Sequence, residues 1–186
     1  GSEMCIRDRT NREILFMFKK MILRWFSPAK SETNEFIKAL ITGDIESMNE
    51  YMNDVALRTF SSFDTGKHTS EKKAPENFFH GFVLGLMVDQ SENYIITSNR
   101  ESGYGRYDIM LEPIDKTNEK YPGIVIEFKV INPRKENTLE ETVEAALKQI
   151  EEKNYDAELI GRGVNPSNIH HYGFAFKGKE VLIDGR

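Results

Sequence analysis

Asp108, Glu127 and Lys129 are the residues in this chain whose types and spacing could do chemistry. They lie in Gly105-Arg106-Tyr107-Asp108-Ile109-Met110-Leu111 and in Gly123-Ile124-Val125-Ile126-Glu127-Phe128-Lys129-Val130. Both segments read as strands, because apolar residues alternate with polar ones or continue as β-branched runs. Side chains in a strand alternate between faces. Glu127 and Lys129 then share a face, and Phe128 takes the other. By the same rule Arg106, Asp108 and Met110 belong on one face, and Tyr107, Ile109 and Leu111 on the opposite one. If the two strands pair, two carboxylates and one ammonium meet at one spot on a sheet. That set suits a hard divalent cation with a water activated beside it.

The elements that would position these residues follow from local signals. Asn11 to Phe26 is dense in apolar residues around most of its circumference and reads as a helix that must be covered. Ser31 to Ile41 reads as a second helix, with Gly43 just past its end. Asp44 caps a third helix running to about Arg58. Ser61 to Lys73 is polar and without periodicity, so it reads as a loop. Pro75 opens a fourth helix that ends near Gln90. Strands are expected over Tyr94–Asn99, Gly105–Pro113 and Gly123–Ile131. Thr138, with Glu141 three residues later, caps a long helix to about Asn154. Ile169–Phe176 and Glu180–Ile183 close the chain as two strands joined through Gly178. From Pro75 onward the order is α-β-β-β-α-β-β, an α+β sheet with helices packed on it.

Composition narrows the classes. The 186 residues are 39% hydrophobic and 30% charged, ordinary for a globular protein. No run has the length of a membrane span. The single Cys5 excludes an internal disulfide and suits a reducing compartment, so the cytoplasm is expected. Residues 1–10 read as a cloning scar followed by a translated artefact and are set aside. Residues 11–74 read as a helical N-terminal part, and 75–186 as the core that carries the chemistry. No Gly-x-x-x-x-Gly-Lys-Ser/Thr occurs, so there is no phosphate loop. Net charge is −5: residues 1–75 carry 12 basic and 11 acidic residues, 76–131 carry 5 and 9, and 132–186 carry 8 and 10. The acids cluster where the chemistry would be. A metal would neutralise part of that excess. The rest argues for weak intrinsic affinity for nucleic acid, or for a partner that delivers the substrate.

Each candidate has a plain reading beside the chemical one. Aspartate is disfavoured inside strands, so Asp108 in a well-packed strand points to a task. Glu127, between Ile126 and Phe128, is costly to bury unless paired or metal-bound. Lys129 can neutralise Glu127 and also position an attacking water or stabilise the transition state. Glu76 sits in the first turn of its helix, where the dipole alone accounts for an acid. His80, one turn later, reads as a core or supporting histidine rather than a ligand. Arg100 and Arg106 flank a Gly-rich hairpin, where guanidinium forks could grip phosphate or stay solvated. Tyr104 at the tip could stack on a base or be an ordinary turn tyrosine. His170 and His171 are adjacent and should point to opposite faces.

Taken with Glu76-Asn77-Phe78-Phe79-His80-Gly81-Phe82-Val83-Leu84-Gly85-Leu86, the run Ser98 to Asp108, Ala145-Ala146-Leu147-Lys148-Gln149-Ile150 and Tyr172 to Lys179, the acid and acid-x-Lys pattern resembles the PD-(D/E)xK nuclease superfamily. More narrowly, it resembles the domain at the C-terminus of bacterial AAA-ATPase-like proteins. The resemblance covers roughly residues 31 to 184. It implies a restriction-endonuclease-like core, α-β-β-β-α-β, with a mixed central sheet flanked by helices and an N-terminal helical extension. It also implies a metal-ligand or supporting role for Glu76, and a Gln149 amide facing the metal site.

These readings combine into an expected function. The chain should be a Mg²⁺- or Mn²⁺-dependent nuclease acting on DNA ahead of RNA. Asp108, Glu127 and the Phe128 backbone carbonyl would hold the metal, Lys129 would assist the water, and Glu76 and Gln149 would complete the site. The alternative is a regulatory, non-catalytic module that docks on an ATPase domain or on a second copy of itself.

Overall fold

The computed structural model describes residues 30–63, 74–102 and 105–186. The helix expected over residues 11–26 lies outside the described residues. Helix α1 (Lys30–Thr42) and helix α2 (Ile45–Phe63) are joined by Gly43, whose φ of 76° is the left-handed turn that glycine adopts without a Cβ penalty. Asp44 caps α2 as its position predicts, accepting from the Ser47 N–H at 3.1 Å. The α2 helix runs to Phe63, past the expected end at Arg58, because serines such as Ser61 and Ser62 interrupt a helix only weakly. Helix α3 (Ala74–Met87) follows, ending in a 3-10 turn at Val88–Gln90.

Five strands form one mixed sheet in the order β1-β2-β3-β4-β5: β1 (Tyr94–Ser102), β2 (Gly105–Pro113), β3 (Gly123–Val130), β4 (Ile169–Lys177) and β5 (Glu180–Gly185). All neighbours are antiparallel except β3 and β4, which are parallel. A parallel pair needs a long crossover. Helix α4 (Leu139–Glu152) supplies it, together with a short helix α5 (Asp156–Gly161) that no local signal announced. Thr138 caps α4 by accepting from the Glu141 N–H at 3.3 Å. The Glu141 carboxylate reaches back one residue further than a capping box requires, to the Asn137 N–H at 2.7 Å.

Each helix of the N-terminal side buries one stripe. On α1 it is Phe36, Ile37 and Leu40; on α2, Met48, Met52, Val55 and Ala56; on α3, Phe79, Phe82, Val83 and Leu86. These are i, i+3/i+4 spacings, the mark of a helix face turned to a core. All three stripes join a single cluster with Ile109, Leu111, Ile126, Phe128, Phe174 and Phe176 from one face of the sheet. A smaller cluster under α4 and α5 takes Met110 and Val125 from the other face, with Ile150, Tyr155 and Leu159. The result is an α+β fold of three layers, helices on both faces of a five-stranded sheet.

One expectation about faces fails. Tyr107 does not join Ile109 and Leu111. It packs with Met110 in the cluster under α4, and its hydroxyl hydrogen-bonds Thr97 Oγ1 at 2.7 Å. Residues 107 and 110 share a face only if the alternation slips between them. The β1–β2 ladder omits one pair there: it runs from Tyr94–Pro113 to Ser98–Ile109 and resumes in the same register at Arg100–Tyr107. Asp108 sits at that interruption. On its other side the β2–β3 pairing runs from Leu111–Ile124 to Ile109–Ile126.

Candidate active site

Helix α4 reaches the sheet through small residues. Gly173 of β4 lies beside Glu127 in the parallel ladder, and Ala175 beside Lys129. A Cβ on Gly173 would stand 2.8 Å from the Val143 carbonyl and 3.1 Å from the Ala146 methyl. That close approach brings Gln149, two turns further along α4, onto Glu127 and Lys129. Its Oε1 accepts from Lys129 Nζ at 2.6 Å. Its Nε2 donates to Glu127 Oε1 in a short hydrogen bond and lies 3.3 Å from the Tyr155 hydroxyl. Lys129 Nζ is 3.8 Å from Glu127 Oε1. The carboxylate side chain is only 6% exposed and that of the lysine 25%, so the acid is sealed in while the ammonium side chain keeps partial access to solvent. Tyr155 was not anticipated from sequence. It is buried at the start of α5; at the other end of that helix Arg162 anchors it to β2 through Glu112 (2.6 Å) and to its own turn through Glu158 (2.5 Å).

Asp108 joins this cluster from the interrupted position. Its Oδ2 accepts the Phe128 N–H at 2.8 Å. A carboxylate thus takes a β3 amide just beyond the last β2–β3 pair. The N–H and C=O of one residue in a strand project to the same side, so the Phe128 carbonyl is also directed toward β2 at this gap. Burial pushes the Asp108 carboxyl above the usual range, against the Phe128 amide, His80 and Lys129, which all favour its charged form. His80 of α3 stacks on the Phe128 ring, with centroids 5.4 Å apart, and its Nε2 lies 3.2 Å from Ser98 Oγ. Burial lowers the imidazole pKa, opposed by the Asp108 charge and by a hydrogen bond with the Asp108 backbone.

The remaining candidates fall in several places. Glu76 is one turn before His80 on α3, and Arg100 and Arg106 lie on the arms of the β1–β2 hairpin, paired with Tyr107 and Glu101. For these three the structure describes the backbone alone. Tyr104 lies outside the described residues. The room left by Gly105 is filled by the protein itself, for an added Cβ would meet the Tyr155 hydroxyl at 3.0 Å and the Lys153 stem at 3.3 Å. His170 and His171 do point to opposite faces, one toward Tyr172 at 3.1 Å and the other toward Asp156 at 2.6 Å. Neither hydrogen bond involves Asp108, Glu127 or Lys129.

A comparison with protein families matched residues 74–185 to the PD-(D/E)XK nuclease superfamily. The match takes in the whole sheet, α3, α4 and α5, more than half of the chain. The chain belongs to the PD-(D/E)XK nuclease superfamily. No curated protein and no solved structure matched it. Asp108, and Glu127-Phe128-Lys129 on the next strand, have the residue types and order of an acid followed by acid-x-Lys. The donors suit a hard cation: two carboxylates from adjacent strands, with a backbone carbonyl directed toward the gap between those strands. The upward shift of Asp108 supports the same fit, because the protein's own cations do not offset the desolvation of its charge. Among the described residues no group of three or more His, Cys, Asp and Glu side chains forms a metal cluster. Among the described residues, too, no helix is long and apolar enough to cross a membrane.

Proposed function

We propose that this chain is a Mg²⁺- or Mn²⁺-dependent phosphodiesterase acting on nucleic acid, DNA ahead of RNA. The observation that carries the reading is the Gln149 amide bound at once to Glu127 and Lys129, beside an Asp108 that takes the Phe128 amide. Asp108, Glu127 and the Phe128 carbonyl would hold the cation, with Glu76 as a further ligand. The cation, when bound, polarises the phosphoryl group and makes water more acidic. Lys129 presents an ammonium to the developing charge on phosphate. Gln149 fixes that ammonium by accepting from it, and its other end holds the Glu127 carboxylate in one orientation. Such preorganised donors cost no rearrangement during the reaction. Arg100 and Arg106 would contact the substrate backbone, with Tyr104 stacking on a base.

A second reading is favoured by the balance of 5 basic against 9 acidic residues over 76–131. In it the site is kept but the chain acts as a module docked on an ATPase partner or on a second copy. One assay separates the two. Wild-type protein should cut DNA with Mn²⁺, and Lys129→Ala should lose about a hundred- to a thousandfold in rate with the fold retained. Wild-type protein that cuts neither DNA nor RNA with Mn²⁺ would favour the docking module.

A further inference from the structure

We propose that His80 is a positioning residue for this site, holding open the interruption in the sheet at which Asp108 meets the Phe128 amide. The inference rests on the metal-site reading of Asp108 given above. One imidazole touches all three strands at that point. Its Nε2 lies 3.2 Å from Ser98 Oγ on β1. The backbone and the carboxylate of Asp108 on β2 both face the ring and favour its protonated form. Its face stacks on Phe128 of β3 at 5.4 Å between centroids and 25° between planes. Ser98 is the last residue of β1 paired before the interruption, opposite Ile109. Phe128 carries the N–H that Asp108 Oδ2 accepts at 2.8 Å. The ring therefore contacts the strands on both sides of Asp108, by a hydrogen bond to β1 and a stack on β3.

The arrangement has a physical reason. A strand interruption leaves main-chain groups without ladder partners, and buried groups of that kind need another partner. A side chain arriving from α3 supplies one. By occupying the Asp108 main chain it prevents the ladder from closing over Asp108, which would swing the carboxylate away from Phe128. An apolar residue of the same size would fill the space and keep the stacking but would leave the main chain to close. His80 acts through Asp108, so its effect should appear first in the geometry of that residue.

The test has two readouts. In the metal-free protein, the Phe128 amide proton reports its bond to the Asp108 carboxylate by its downfield chemical shift. Mn²⁺ calorimetry reports the metal site. His80→Phe should move the Phe128 amide upfield and weaken Mn²⁺ binding by about tenfold to a hundredfold, the usual cost of losing a group that orients a ligand. His80→Gln, which keeps a donor, should recover part of both. Folded His80→Phe with a wild-type Phe128 amide shift would overturn the proposal. If His80→Phe does not fold, Ser98→Ala decides instead, since it removes the β1 partner of the ring: a wild-type Phe128 shift there overturns the proposal, and an upfield shift supports it. Wild-type protein that binds no Mn²⁺ would count against the metal-site reading, while the amide shift would still judge His80.

Discussion

Gln149 has two ends and uses both: an oxygen for Lys129 and a nitrogen for Glu127 and Tyr155. Gln149→Leu keeps the volume and removes every polar contact. It should lower kcat by about a hundredfold, as small misplacements of reacting groups do, with a far smaller effect on thermal stability. Steady-state kinetics beside a thermal melt would check the split. Asp108 makes a pH-dependent prediction. Its carboxyl is raised by burial, so between the ordinary carboxylate pKa and the raised one the native state holds a proton that the unfolded chain has released. Stability of the metal-free protein then falls as pH rises through that window, and the cost is complete above it. Asp108→Asn can still accept from the Phe128 amide and carries no charge. It should raise the melting temperature at pH 7 and leave it unchanged near pH 3. Calorimetric melts across that range decide, and a variant less stable than wild type at pH 7 would show that burial of the charge is not the controlling effect.

Helix α4 can place Gln149 only because β4 is narrow beneath it. Gly173 meets the Val143 carbonyl where any Cβ would intrude at 2.8 Å, a contact with backbone that no rotamer change relieves. Gly173→Ala should therefore cost about 1–3 kcal/mol by urea denaturation, the usual penalty for overpacking. It should also reduce Mn²⁺-dependent cleavage, because the helix must lift with Gln149 on it. A substitution on the exposed side of the same helix, such as Lys148→Ala, should affect cleavage much less. Strands β2 and β3 contribute in the opposite sense: they create the site by ceasing to pair next to it.

The three N-terminal helices and the sheet share one core, so the molecule is held together across its whole described length. Helix α2 also protects the edge of the sheet. Asn49 donates to the Ile183 carbonyl and accepts from its N–H, each at 2.8 Å. Asn53 does the same for Val181, at 2.7 Å and 3.0 Å. Two amides four residues apart on a helix thus replace a neighbouring strand along β5. Edge groups left open invite pairing with other chains. The double variant Asn49→Ala and Asn53→Ala should lose about 2–6 kcal/mol, from two sites at about 1–3 kcal/mol each when partners are removed. Light scattering should then show concentration-dependent association. A monomeric double variant with wild-type stability would mean that solvent serves this edge as well as α2 does.

Much of this was legible in the chain. The alternation in residues 123–130 sets Glu127 and Lys129 on one face, because an uninterrupted strand has a fixed period of two. Caps at Asp44 and Thr138, the glycine at 43 and the element order from α3 to β5 are local events, decided by neighbours in sequence. What sequence could not decide depends on residues far apart in the chain. The face of Tyr107 changed because pairing is interrupted at Asp108, and a period rule assumes an unbroken ladder. The partners of His80, Tyr155, Asn49 and Asn53 are set by where helices dock, and docking depends on the summed shape of both clusters rather than on any local signal. Residue types and their period determined which groups could do chemistry, and only the packing of α3 and α4 against opposite faces of one sheet decided that they meet.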